Sequence, residues 1–427
     1  MTPKPALSLA KPDTYETNHE IKRIRLTSRL LHIGSAVSRL NPFEYVQTGS
    51  FVYLPDQEAL ARLLKARGFL NSYVQRIEDR DEIVSLLQDA LGEDWVKATT
   101  SEGEPIFPRR LRIRKWTDAQ ITDLRPMIRD GFGHHFIPGS SIKGAIRTAI
   151  AYHLLKHADR YNVPKQNQVS AIERQLRQSM GELKRKAKFY DDRAFMDTLF
   201  TDFSLQGSLG KDRNGPNTDF MRAVQVSDSQ PLQEERIERP NRKPLPRNLP
   251  VAAEVIVSSR FNNYQAKYRA SLYVEMLFNA NAEFSLSIDH EMLSWFKHNQ
   301  GMKIPFQSVD DLLAICQEFT QEQWDFEHDY WNVVQNNPQD RERALDFSYI
   351  RDLYEPERCP YTLRLGWASG LRGTTINLLL PEDAVAEVRD TCGLKAPGFE
   401  APKSRRTVVN TKGDIRYVPS WVKLEVL

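Results

Sequence analysis

The stretch PGSSIKGAIR, residues 138–147, decides how the rest of this 427-residue chain is read. Gly139 after Pro138 permits a sharp turn, and Ser140 or Ser141 offers an oxygen to cap a helix. Ile142, Ala145, Ile146 and Ala149 then recur at helical spacing, so a helix starts here and rests on a sheet. Unpaired N–H groups at such a start favour an anion. Lys143 and Arg147 stand four apart on one face, and Gly144 between them leaves no side chain in the way of an approaching backbone. The pattern reads as a phosphate-binding helix terminus or, equally on composition alone, as a capped amphipathic helix with two solvated cations. It is not a Walker A loop, because Lys143 precedes Gly144 and Ala145 follows it.

Upstream, residues 131–137 predict a strand through His135 and Ile137. Ile24, Leu26, Leu30 and His32 fall at period two, which predicts a strand ending at Ile33 and Gly34. A short apolar run at 51–54 follows, then a helix that opens at Asp56, buries Leu60 and Leu64, and stops at Gly68. Residues 72–91 also read as helix. Downstream, the charged segment 169–199, with Lys184, Arg185, Lys186 and Lys188, fits helical spacing. Residues 205–218 are rich in Gly and Asn and read as a loop, and 238–250, with four prolines and four basic residues, reads as a connector.

Near-alternating runs at 253–261, 272–278 and 282–288 predict antiparallel sheet. A helix is expected over 309–336, with Phe319, Trp324, Tyr330 and Trp331 as core or partner-helix contacts. A strand at 361–365, a glycine-rich loop at 366–373, a basic turn at 398–406 and a closing strand at 418–427 complete the chain. The fold class is α+β. Its length suits two domains, set here as a flexible arm at 1–19, an N-terminal domain at 20–250 and a C-terminal domain at 251–427.

A net charge of +3 does not by itself imply nucleic acid, so any RNA surface must come from local clustering. Mean hydropathy is −0.54 and no apolar run reaches spanning length, which points away from membranes and toward the cytoplasm. Cys316, Cys359 and Cys392 form no metal-type or disulfide spacing. Asp191, Asp192, Asp310 and Asp311 read as helix-start or solvated acids, leaving no metal cluster in the sequence. No cofactor is implied.

Residues 138–147 resemble the signature of the RAMP superfamily. Residues 31–35 (LHIGS), Tyr45, the 220–222 and 226–228 segments (FMR and VSD), 365–370 (LGWASG) with Thr374 and Thr375, and 402–406 (PKSRR) with 420–423 follow in family order. They are most similar to the subunits that cap the guide RNA's 3′ end in type III-A CRISPR (Csm) complexes. Ala36 and Ala368 stand where that family often carries glycine. The resemblance implies two ferredoxin-like, RRM-related domains with glycine-rich loops and helical insertions. It also implies a non-catalytic subunit that binds crRNA, meets target RNA only indirectly, touches neighbouring RAMP backbone subunits, and supports guide maturation and antiviral defence. Cellular nucleases are a further partner class. The implied RNA-binding residues are Gly139, Ser140, Ser141, Lys143, Gly144, Arg147, Arg222, Gly366, Trp367, Gly370, Arg372, Lys403, Arg405 and Arg406. In turns, Arg pairs with phosphate and Trp stacks on an unpaired base, although Trp367 is equally readable as a plug beneath its loop.

Two rival functions are readable. An endoribonuclease acting on precursor crRNA or target RNA would use His135 as an acid–base group or Asp219 just after the 205–218 loop, which holds Lys211, Asp212 and Arg213. A scaffold that recruits cellular nucleases would scarcely touch RNA. Adjacent strand residues face opposite ways, so at most one of His134 and His135 lines a groove, and a core or hydrogen-bonding role is the default for both His135 and His32.

Overall fold

A long hairpin, Leu249–Arg260 and Ala266–Asp289, is the spine of the molecule. The computed structural model describes residues 18–79, 81–191, 197–205, 215–240 and 242–427. The expected N-terminal arm, Asp192, Lys211, Asp212 and Arg213 lie outside them, as do the side chains of Lys186, Lys188 and Asp191. Leu249–Arg260 is buried on both faces, which is why it reads as an almost unbroken apolar run. The two expected runs at 272–278 and 282–288 are one strand, continuous through Asn279. Asn279 and Asn248 both take positive φ, and the Asn248 N–H donates to the Asn279 carbonyl (3.1 Å). Asparagine tolerates that backbone better than most residues.

His19–Leu31 lies antiparallel on the far half of the long strand, from His19 opposite Asp289 to Leu31 opposite Leu277. The predicted alternation holds: Ile24, Leu26 and Leu30 are fully buried. Trp421–Val426 pairs along the other side of this first strand and Leu363–Arg364 lies beyond it, while Val224–Val226 pairs with the opposite edge of the long strand. Helices Gly139–Lys156 and Val309–Val333 cover this part of the sheet, their apolar faces meeting Ile24, Leu26, Phe284 and Leu286 in one buried cluster. Strand, helix, strand, strand, helix, strand, with the first strand between the third and the last, is a ferredoxin-like arrangement. Its elements come from both sides of residue 250, and that residue sits inside the Leu249–Arg260 strand.

The same sheet continues outward, to eleven strands in all among the described residues. Arg112–Lys115 runs parallel to Val251 and Ala252, and Phe51–Tyr53 and Val46–Gln47 follow; Arg405–Val409 takes the rest of that hairpin edge. The helix predicted from Asp56 is Gln57–Ala66, with the Asp56 carboxylate accepting from the Ala59 N–H (2.9 Å). Residues 72–91 form two helices, Leu70–Asp79 and Val84–Leu91, rather than one.

Two expectations are corrected. Residues 135–137 form no strand; His135 makes only single bridges, to Arg129 and Leu232. The proline-rich 238–250 stretch is largely a hairpin, Glu235–Arg239 with Arg242–Arg247, a two-stranded sheet whose edges tolerate Pro244 and Pro246. No helix among the described residues is long and apolar enough to cross a membrane.

Candidate nucleic-acid interface

The Gly139–Lys156 helix starts where expected, but not with the expected cap. Pro138 is the capping residue and makes no side-chain bond; Ser140 is exposed and Ser141 half-buried. The Asp228 carboxylate instead accepts the Gly139 N–H (2.7 Å), and Ser229 binds Ile137 through both its hydroxyl and its N–H (2.9 Å each). A β-carbon on Gly139 would lie 2.2 Å from the Val226 carbonyl oxygen and 2.7 Å from the Ser227 carbonyl carbon and oxygen. Glycine is thus required for close packing, and the VSD motif at 226–228 is the clasp that holds the turn. The helix start does attract an anion, as its dipole dictates. That anion is Asp228.

One turn on, the two cations part company. Arg147 pairs with Asp219 (2.5 Å) and stacks on Phe200 (3.7 Å), so it braces the Asp219 segment instead of standing free for phosphate. Asp219 also accepts the Met221 N–H (2.9 Å) and opens the short 220–223 helix. Lys143 makes no hydrogen bond or ion pair among the described residues. Burial pushes its ammonium down, with Asp219 and Arg147 pulling in opposite directions. Gly144 is exposed and a β-carbon there meets nothing. Arg222 is exposed and donates to the Asn217 carbonyl (2.8 Å).

The second glycine-rich loop leans on the first strand. Gly366 has φ +82°, and its β-carbon would lie 2.3 Å from the His32 carbonyl oxygen, which accepts the Trp367 N–H (2.9 Å). Trp367 is half-buried: its ring meets His32 edge-on (5.8 Å) beneath the loop, and Arg406 (4.7 Å) and Arg125 (5.7 Å) lie over it. The packing against His32 is that of a plug beneath the loop. Ala368 takes φ +76°, a left-handed conformation that glycine adopts more readily than alanine. Ala368→Gly should therefore raise stability by about 1 kcal/mol, because the left-handed region costs an L-residue about that much. Thermal denaturation checks it; an unchanged or lower midpoint would mean the loop is not strained there.

Two of the predicted cations are internal. Arg372 is buried, donating to the Ala401 (3.0 Å) and Asn377 (2.9 Å) carbonyls under Phe326. Arg405 is buried against Glu327 (3.0 Å), donates to the Pro402 carbonyl (2.7 Å) and lies over Tyr330 (3.9 Å). Both hold the C-terminal loop from inside. Gly370, by contrast, is exposed with open space where a β-carbon would stand, and Arg406 is exposed over Trp367.

The two glycine-rich segments, far apart in sequence, open on one cleft of about 960 Å³. Gly144, Arg147 and Thr148 line one wall, Leu371, Thr374 and Thr375 another, and Lys403, Ser404 and Arg269 its end; Ile172, Leu176, Val385 and Val388 give it an apolar side. Lys403 lies over Phe399 (4.2 Å), its ammonium pushed down by burial and then by repulsion from Arg269, Arg389 and Lys267. Cations crowded this way raise the local potential and attract a polyanion.

The histidines are occupied elsewhere. His135 is buried and bonds Glu275 through Nε2 (2.8 Å); His32 Nδ1 bonds the Glu275 carbonyl (2.6 Å). Burial pushes both imidazoles down, toward the neutral form. Asp311 is a helix-start acid, in a reciprocal cap with Ser308. One set of metal-type donors assembles among the described residues, His153, His157 and Glu318.

The RAMP superfamily model matches residues 23–348, a span that holds the first strand, the glycine turn, the Asp228 clasp and the long hairpin. The chain belongs to the RAMP superfamily. A curated relative, the CRISPR system Cms protein Csm5 of Enterococcus italicus, is 28% identical over 163 residues, covering 32% of this chain. The match spans only 46% of that relative's length. Among solved structures, a chain of the Csm–crRNA–target RNA ternary complex of a type III-A CRISPR-Cas system superposes with a TM-score of 0.59 at 24% identity. The crystal structure of T. onnurineus Csm5 gives 0.53 at 20%. Each match covers 95% of this RAMP chain and 100% of the other chain, and shows a shared fold.

Proposed function

We propose that this RAMP chain is a non-catalytic RNA-binding subunit of a type III-A CRISPR complex, covering the 3′ side of the crRNA along the cleft between its two glycine-rich segments. The observation that carries this role is the meeting of exposed Gly144 with Thr374, Thr375 and the crowded cation Lys403 around one cavity. Exposed glycine and small hydroxyl residues let an RNA backbone come close, the cations meet phosphate, and Trp367 under Arg406 offers a stacking face. Phosphate contacts position RNA without reading it, so target choice rests on pairing with the guide. Neighbouring RAMP backbone subunits would flank it, in the cytoplasm.

A non-catalytic role is supported by where the two acid–base candidates lie: Asp219 serves Arg147 and a helix cap, and His135 is buried on Glu275. Purified chain with divalent metal is expected to leave single-stranded RNA intact. Cleavage abolished by Asp219→Ala or His135→Ala would promote the nuclease reading.

Lys143→Ala combined with Lys403→Ala should weaken single-stranded RNA binding without lowering the melting temperature, since neither ammonium is in an ion pair among the described residues. The log–log salt slope should flatten by about 0.7 per lost phosphate contact, about 1.4 for the pair. An unchanged slope places RNA elsewhere. Guide footprints in complexes assembled with and without the chain separate this role from nuclease recruitment: only an RNA-covering subunit protects the 3′ nucleotides directly.

A further inference from the structure

Away from the RNA cleft, the end of the Gly139–Lys156 helix meets the middle of the Val309–Val333 helix at His153, His157 and Glu318. His153 lies in the last turn of the helix and His157 caps its end, with the two rings 4.6 Å apart. His153 Nδ1 bonds one Glu318 oxygen and His157 Nε2 bonds the other (2.8 Å). The donor atoms all lie within 4.8 Å of one another. Tetrahedral zinc, with bonds of about 2.0–2.2 Å, sets its ligands about 3.4 Å apart, a separation that small side-chain rotations reach.

Three further features fit a metal. His153 Nε2 bonds the Tyr161 hydroxyl (2.9 Å), the outer contact that fixes a ligating imidazole's orientation. His153 is buried while His157 and Glu318 are half-buried, so an ion has an entry side from solvent. The competing cation can leave: Lys156 Nζ lies 2.9 Å from Glu318 but also 2.6 Å from Glu322, and keeps that partner if Glu318 turns to a metal.

We propose that His153, His157 and Glu318 bind one divalent transition-metal ion of the zinc class, with water as fourth ligand, and that the ion staples the glycine-turn helix to the long helix. Two imidazoles and one carboxylate suit zinc, cobalt or nickel better than magnesium or calcium.

Untagged, chelator-treated full chain titrated with cobalt(II) should take up one equivalent with the strong visible absorption of a tetrahedral site, which zinc then bleaches. Zinc should raise the melting temperature. His157→Ala removes a half-buried ligand at the helix end and should weaken cobalt binding by more than about 100-fold, beyond what loss of a supporting contact does, and abolish the thermal shift. Lys156→Ala, which removes the competitor for Glu318, should tighten binding. Absence of stoichiometric cobalt binding by the wild-type chain would overturn the site. So would binding that survives both His157→Ala and Glu318→Gln.

Discussion

Replacing Glu275 by alanine should destabilise the fold by about 3–5 kcal/mol, the usual cost of removing one partner from a buried charge pair. Glu275 is fully buried in the spine of the sheet, where its carboxylate pairs with Arg129 and accepts from His135 and from the Met127 N–H (2.8 Å each). Without it the Arg129 charge has no counterion, and Arg129 Nε already lacks a hydrogen-bond partner. The damage would also reach the second glycine-rich loop, because His32 bonds the Glu275 carbonyl through its ring and Trp367 through its own carbonyl. Urea denaturation measures the loss, and Glu275→Gln, which keeps the shape, separates charge from packing.

The same group sets an acid limit. Burial would raise the Glu275 carboxyl, but Arg129, His135 and the Met127 N–H hold it at about 2, below its ordinary 4.5. A carboxylate depressed by folding contributes stability that is present above 4.5 and lost as pH falls toward 2. His135, pushed below its ordinary 6.5 by burial, acts in the same direction, since the unfolded chain takes up its proton first. Stability should therefore fall on acidification from near neutrality, most steeply below 4.5, and Glu275→Gln should lose that last dependence. A pH-independent difference between wild type and Glu275→Gln would show that the charge carries no weight.

Gly139→Ala should cost about 3 kcal/mol, at the top of the range for overpacking, because the atoms its methyl would strike are the Val226 and Ser227 main chain. Relief requires moving the helix start off the Asp228 clasp, so guide binding should fall with stability. Gly144→Ala makes the opposite case: open space and a mid-helix position should raise stability by about 0.5–1 kcal/mol. Denaturant midpoints of the two variants decide this. Equal effects would mean that the turn is not held against the 226–227 backbone.

Much of the fold was legible because it is local. The period-two spacing of Ile24, Leu26 and Leu30 gave the first strand its buried face, and the helical spacing of Ile142, Ile146 and Ala149 gave the glycine-turn helix its own. The candidate site was half legible. Gly144 and Gly370 do open outward, but Arg372 and Arg405 look from sequence like any loop cation, and their fate is set by a carbonyl 29 residues away and an acid 78 residues away. Arg147 is claimed by Asp219 across 72 residues in the same way. Asp228 offered a weak signal, an acid in a motif of matching family order, whereas nothing local marks Glu275 or joins Glu318 to the His153 and His157 pair 161 residues from it.

The shared cleft is tested most directly by cross-linking. A crRNA carrying photoreactive uridines near its 3′ end, irradiated in the assembled complex and followed by mass spectrometry, should attach to peptides from both 139–147 and 370–376, with further links at 402–406. Gly144 and Arg147, Leu371 with Thr374, Thr375 and Ile376, and Pro402, Lys403 and Ser404 line one cavity, so RNA lying in it meets all three segments. Cross-links confined to a single segment, or absent from all three, would contradict a common RNA path between the glycine-rich segments.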